Sequence, residues 1–145
     1  MRIVLQRVSR ARVTVGGETV GSIGAGVVAL IGVARGDDAL AAERAAKKLG
    51  DLRIFPDTEG RMNLDTLAAG GEFLVVSQFT LAGSLTKGRR PSFGDSAPAA
   101  MARPLVGAVA DNLRLRGFRV EEGRFGAAME VELVNDGPVT FVLDV

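Results

Sequence analysis

Cysteine, histidine, tyrosine and tryptophan are all absent from the 145-residue sequence, and proline occurs only five times. Without cysteine there is no disulfide framework, no thiolate nucleophile and no zinc–thiolate site. Without histidine, the usual general base near neutral pH, the commonest metal ligand and the central member of nucleophilic triads are missing. Chemistry therefore falls to serine, threonine, carboxylates, lysine, arginine, backbone amides or a group on the substrate, and neither metal nor other cofactor is expected. The longest apolar stretch, Val27 to Ala34, is far too short to cross a bilayer. Met1-Arg2-Ile3 opens a strand-like run rather than a charged segment before an apolar signal core, so no membrane association and a cytoplasmic location are expected.

Apolar residues make up 47% of the chain and charged residues 24%, the balance of a globular protein rather than a disordered one. At this length one domain, spanning residues 1–145, is the default, and it buries roughly two-thirds of the surface that the unfolded chain exposes. A net charge of +1 exerts no long-range pull on polyanions. Three local clusters remain as phosphate contacts or as solvated faces: Arg7, Arg10 and Arg12; Lys87, Arg89 and Arg90; Arg114, Arg116 and Arg119.

Arg2 to Val15 reads as one long or bent strand, Gly16-Gly17 as a two-residue hairpin turn, and Glu18 to Ile23 as the returning strand. The continuous apolar run Val27 to Val33 predicts a central strand buried on both faces. Asp37 and Asp38 are placed to cap a helix running to about Leu52. Pro56, Asp57 and Gly60 mark a loop, Glu72 to Ser77 a short strand, and Ala82 to Asp95 an exposed functional loop. Ser96 and Pro98 start a second helix with an apolar stripe through Met101, Leu105, Ala108, Val109, Asn112 and Leu113, with Pro104 inside it and Gly117 ending it. Three strands follow, Phe118 to Glu122, Ala128 to Val134 and Val139 to Val145, the last two joined by a turn at Asn135-Asp136-Gly137-Pro138. Grouped strands with two intervening helices predict an α+β domain whose sheet is largely antiparallel and barrel-like, with the helices packed outside.

Gly24-Ala25-Gly26 lacks the helix and acidic partner of a dinucleotide site, and no phosphate-loop Gly-Lys-Ser/Thr occurs. Two stretches demand explanation, Ser77-Gln78-Phe79-Thr80-Leu81 and Asn135-Asp136-Gly137-Pro138-Val139-Thr140. By local chemistry alone the first is a polar strand end and the second a hairpin turn.

Those two stretches, with Gln6-Arg7-Val8, Ile23 to Gly26, Leu30 to Val33, Arg53-Ile54-Phe55, Met62-Asn63, Arg90 to Phe93 and Phe125-Gly126-Ala127, resemble the D-aminoacyl-tRNA deacylase (D-tyrosyl-tRNA deacylase) family along nearly the whole chain. The resemblance implies a homodimer that hydrolyses the ester bond of D-aminoacyl-tRNA, with tRNA as its nucleic-acid partner. It implies that Gly137 and Pro138 of one subunit, joined in the cis form, reach into the aminoacyl pocket of the other. Glycine lets two carbonyls approach the α-ammonium unobstructed, and a wall on the L side then rejects L-amino acids by space alone, while glycine slips through. Ser77, Gln78, Phe79 and Thr80 are the implied catalytic residues. Phe125 and Met129 fall where the family borders the adenine, although core packing explains Met129 almost as well. Arg7 is a candidate brace for the Gly-Pro turn, with a surface ion pair as the plainer reading.

Two mechanisms fit these residues. In one, backbone N–H groups near Phe79 and Thr80 stabilise the oxyanion while the ribose 2′-hydroxyl activates water; in the other, the Thr80 hydroxyl attacks, with Lys47, Lys48 or Lys87 as base. The sequence departs from the family pattern at Glu122, where threonine is usual, and at Ala128, where aspartate is frequent. The reading from a different class is a noncatalytic tRNA-binding or editing-domain-like module.

Overall fold

The computed structural model describes residues 1–86 and 88–145. Strand β1 (Arg2–Val15) is the organiser, because its two edges serve three partners. Its C-terminal half pairs antiparallel with β2 (Glu18–Ile23) across Gly16-Gly17, whose φ angles of +58° and +82° suit a tight hairpin without a Cβ penalty. Its N-terminal half pairs antiparallel with β3 (Gly26–Gly32). Helix α1 (Ala39–Asp51) then crosses over; Asp38 is its cap, the carboxylate accepting from Ala41 N at 2.8 Å. Asp37 has another task, accepting from Ala34 N at 2.7 Å.

The expected loop around Pro56 and Gly60 is the tip of a small hairpin between β4 (Phe55–Pro56) and β5 (Met62–Leu64). Strand β6 (Glu72–Ser77) lies parallel to β3. Helix α2 (Ala99–Leu115) follows, and β7 (Val120–Glu122) lies parallel to β6. The sheet is thus antiparallel around β1 and parallel from β3 to β7, because each parallel step is bridged by a helix long enough to return the chain to the same end. Backbone contact between β2 and β7 nearly closes a barrel: a Cβ at Gly21 would lie 2.5 Å from the Glu122 carbonyl oxygen.

Both faces of β3 and β6 are covered, which explains their unbroken apolar runs. Val27, Ala29, Ile31, Phe73 and Val75 face the helices, while Val28, Leu74 and Val76 face the barrel interior with Val8, Val13 and Ile23. Phe73, Leu49 and Leu113 are fully buried between sheet and helices, each stabilising by about 2 kcal/mol. Helix α2 is rotated from the expected stripe: Met101 is half exposed, and Ala102, Val106, Val109, Ala110 and Leu113 turn inward at helical spacing. Ser96 does not cap it; Pro98 stands at that position. Gly117, with φ +92°, ends it as expected.

The last two expected strands are one, β8 (Glu130–Asp144), running antiparallel to β1 along its other edge. The turn expected at Asn135–Pro138 is a bulge. Thr140 pairs with Gln6 and Asn135 with Val8, so one strand advances five residues where the other advances two. Local propensity favours a turn there, yet both flanks are held by the same neighbour and cannot fold back on each other. No helix of the described residues is long and apolar enough to cross a membrane.

Candidate active site

Beyond Ser77 the chain leaves the sheet and tightens into a 3₁₀ turn, Phe79–Ala82. Gln78 N still donates to Ile31 O at 2.7 Å, anchoring the turn to the end of β3. The segment before α2 is pinned to the same strand end: Ala97 N donates to Val33 O at 3.0 Å and Arg35 N to Asp95 O at 2.8 Å. Between these anchors and the segment from Phe125 to Val131 lies a cavity of about 450 Å³, with Ser77, Gln78, Phe79, Phe125 and Met129 all on its wall. Ile31, Val76, Ala102 and Val106 complete an apolar lining that suits a flat ring more than a charged group.

Thr80 stands beside this cavity and is not part of its wall. Its hydroxyl oxygen accepts a hydrogen bond from Gln78 Nε2 at 2.6 Å. The N–H groups of Phe79 and Thr80 lead the 3₁₀ turn and find no backbone acceptor among the described residues. Ser96 Oγ donates to Phe79 O at 3.1 Å, which holds the turn from the far side; nothing in the sequence pointed to that contact. Of the three lysines weighed as a base, Lys47 is paired with Asp51 at 3.0 Å on α1, and Lys87 lies outside the described residues. Among the described residues no three acidic side chains are grouped as a metal site requires.

Gly137, Pro138 and Arg7 do not line this cavity in their own chain. The Gly137–Pro138 bond is cis, and both residues are exposed on the β8 bulge. Arg7 makes both kinds of contact to the bulge, to a carbonyl and to a carboxylate of Asp136. Its guanidinium is buried under the bulge, with Nε donating to Asp136 O at 3.1 Å and lying 2.9 Å from Asp136 Oδ2, and Nη1 donating to Ile54 O at 2.5 Å. Asn135 completes the support: its Nδ2 donates to Arg7 O at 2.9 Å and to Val139 O at 3.1 Å, replacing ladder bonds that the bulge interrupts. A Cβ at Gly137 would collide with Asn135 Oδ1, so any other residue there displaces the Asn135 amide.

The other basic clusters disperse. Arg12 pairs with Glu132, Arg114 with Asp111 and Glu122, Arg116 with Asp51, and Arg119 with Glu72. Glu122, the departure from the family pattern, is thereby engaged with Arg114 at 2.7 Å. Arg89 and Arg90 are exposed in the loop before α2.

Residues 4–144 match the family model described as D-Tyr-tRNA(Tyr) deacylase. A D-aminoacyl-tRNA deacylase of Thermomicrobium roseum is 58% identical over 144 residues, covering 99% of this chain and 94% of that protein. One from Symbiobacterium thermophilum is 56% identical, covering 99% and 95%. Among solved structures, the c-Myc DNA Unwinding Element Binding Protein superposes with a TM-score of 0.93 at 38% identity, covering 100% of this chain and 99% of that one. A probable eukaryotic D-amino acid tRNA deacylase shares the fold, with a TM-score of 0.81 at 20% identity over 99% and 98% of the two chains.

Proposed function

This chain belongs to the D-Tyr-tRNA(Tyr) deacylase family and is a hydrolase of the D-aminoacyl-tRNA ester bond; from that premise we propose how its residues divide the work. The terminal adenosine of tRNA enters the 450 Å³ cavity, its base against Phe125 and Met129 and its ester carbonyl at the turn after Ser77. The observation that carries this reading is that the two segments, nearly 50 residues apart in sequence, border one cavity at the end of β6.

Water attacks the ester carbonyl carbon, giving up a proton toward the ribose 2′-hydroxyl. The Phe79 and Thr80 N–H groups, with no backbone acceptor among the described residues, receive the developing oxyanion, for roughly 3 kcal/mol per donor. As the intermediate collapses, the bond to the ribose 3′-oxygen breaks and that oxygen takes the proton relayed by the 2′-hydroxyl. Ser77 and Gln78 position this turn and border the ester. An ester needs only modest acceleration, so positioning and oxyanion stabilisation suffice without a triad.

Stereochemical selection comes from a second copy of the chain. Its Gly137–Pro138 bulge, braced by Arg7 and held by Asn135, presents carbonyls to the α-ammonium and leaves no room on the L side. What supports a homodimer is β8 itself: its outer edge has no strand partner among the described residues, and Val134, Phe141 and Val142 stand exposed along it. Glycyl-tRNA, with no side chain to reject, is cleaved as well. A cytoplasmic location, alongside translation, belongs to the same proposal.

Incubation with D- and L-aminoacyl-tRNA, following release of free amino acid, tests the whole reading. Cleavage of the D form alone is expected; equal cleavage of both would refute steric rejection. A noncatalytic nucleic-acid-binding role, brought forward by the name of the 38% identical neighbour, predicts cleavage of neither.

A further inference from the structure

Arg103 sits on α2 next to Ala102 and one turn before Val106, both of which wall the cavity. Its own side chain is exposed, so it stands at the cavity rim. The guanidinium carbon lies 5.0 Å from the centre of the Phe125 ring, and Nη2 lies 3.5 Å from the Phe125 carbonyl oxygen. A planar cation over one aromatic face fixes both groups and leaves the guanidinium's remaining N–H groups directed elsewhere.

Its charge is also unanswered. Arg114, Arg116, Arg119 and Arg124, on the same helix and the segment after it, each pair with a carboxylate, whereas Arg103 pairs with none among the described residues. The first turn of α2 carries no acidic side chain either. An unpaired guanidinium held at the mouth of an apolar cavity is suited to an anion that arrives attached to the cavity's occupant.

We propose that Arg103 binds the phosphate on the 5′ side of the terminal adenosine, the group joining it to the preceding nucleotide. The inference rests on the reading that adenosine enters the cavity. With the base against Phe125, that phosphate is one ribose away from the ring that Arg103 already covers. Arg103 is then a binding residue, and it separates a tRNA end from a free nucleoside ester.

The test compares a D-aminoacyl ester of adenosine with the same ester of adenosine carrying a 5′-methylphosphate. In the wild-type protein the phosphate lowers KM by about tenfold, as one charge-assisted contact does. R103A removes that difference while kcat at saturation is unchanged, and R103K restores part of it. A rise in KM for both esters alike would overturn the proposal, because the guanidinium would only be propping Phe125; so would an R103A variant that keeps the full phosphate effect. Hydrolysis of D-aminoacyl-tRNA by the wild-type protein checks the underlying reading separately: if it fails, the site assignment falls, and if it succeeds, the R103A comparison judges the phosphate contact alone.

Discussion

Gln78 Nε2 donates to Thr80 Oγ1 at 2.6 Å, so the one hydroxyl considered as a nucleophile is occupied as an acceptor by its neighbour two residues away. The bond orients the 3₁₀ turn whose leading N–H groups have no backbone acceptor among the described residues.

Thr80→Val keeps the backbone N–H and loses only the hydroxyl that accepts from Gln78. Its kcat is expected to fall less than about tenfold, the scale of one neutral hydrogen bond. Complete loss of turnover with tRNA binding intact would make the hydroxyl the reacting group.

A substrate whose terminal ribose lacks the 2′-hydroxyl lowers kcat by about 100-fold or more, the scale of a lost general acid–base group. Unchanged single-turnover hydrolysis would remove that hydroxyl from the mechanism.

Arg7→Ala deletes a buried cation from two carbonyls and one carboxylate. The expected cost is about 3 kcal/mol, or roughly 10 °C in Tm for a chain of this length. Thermal unfolding measures it, and D-aminoacyl-tRNA hydrolysis falls in the same variant even where it is fully folded.

Gly137→Ala forces Asn135 out of its place between Arg7 O and Val139 O. A shift of this kind costs about 100-fold in kcat/KM at a positioned site. Far-UV circular dichroism is unchanged, because β8 pairs with β1 on both sides of the bulge.

Lys47, first, and then Arg116 hold the Asp51 carboxyl below the usual carboxylate range by hydrogen bonding to it. With the folded value lowered, the stabilisation is present above the ordinary carboxylate range and disappears as pH falls through the lowered value. Because Asp51 is nearly half exposed, its contribution stays below about 1 kcal/mol. Asp51→Asn is therefore slightly less stable than wild type at neutral pH, and the difference closes as pH falls from neutral through the lowered value. A constant gap across that range would contradict the pairing.

Much of this architecture was readable residue by residue. The bounds of β1, β2 and β6, the Asp38 cap and the Gly117 stop follow from alternation, capping chemistry and φ, each set within a few residues. The motif around Ser77 and the one around Phe125 were visible too, as separate stretches. That they share a site was implied only by the family resemblance and not by local pattern, because parallel pairing of β3 with β6 and the anchoring of residues 95–97 to residues 33–35 are long-range events.

By itself the sequence determined which chemistry is available: with no histidine or cysteine, only hydroxyls, carboxylates, lysine, arginine, backbone amides and the substrate can act. It also determined the periodicity of each element, since side-chain direction along a strand or helix is local. Tertiary structure decided the rest. Asn135-Asp136-Gly137-Pro138 has the composition of a turn, yet β1 holds both flanks in one continuous ladder, and Arg7, 129 residues away from Asp136, fills the space beneath. A turn propensity of local origin yields there to hydrogen bonds and a buried charge that exist only once the distant strand has arrived.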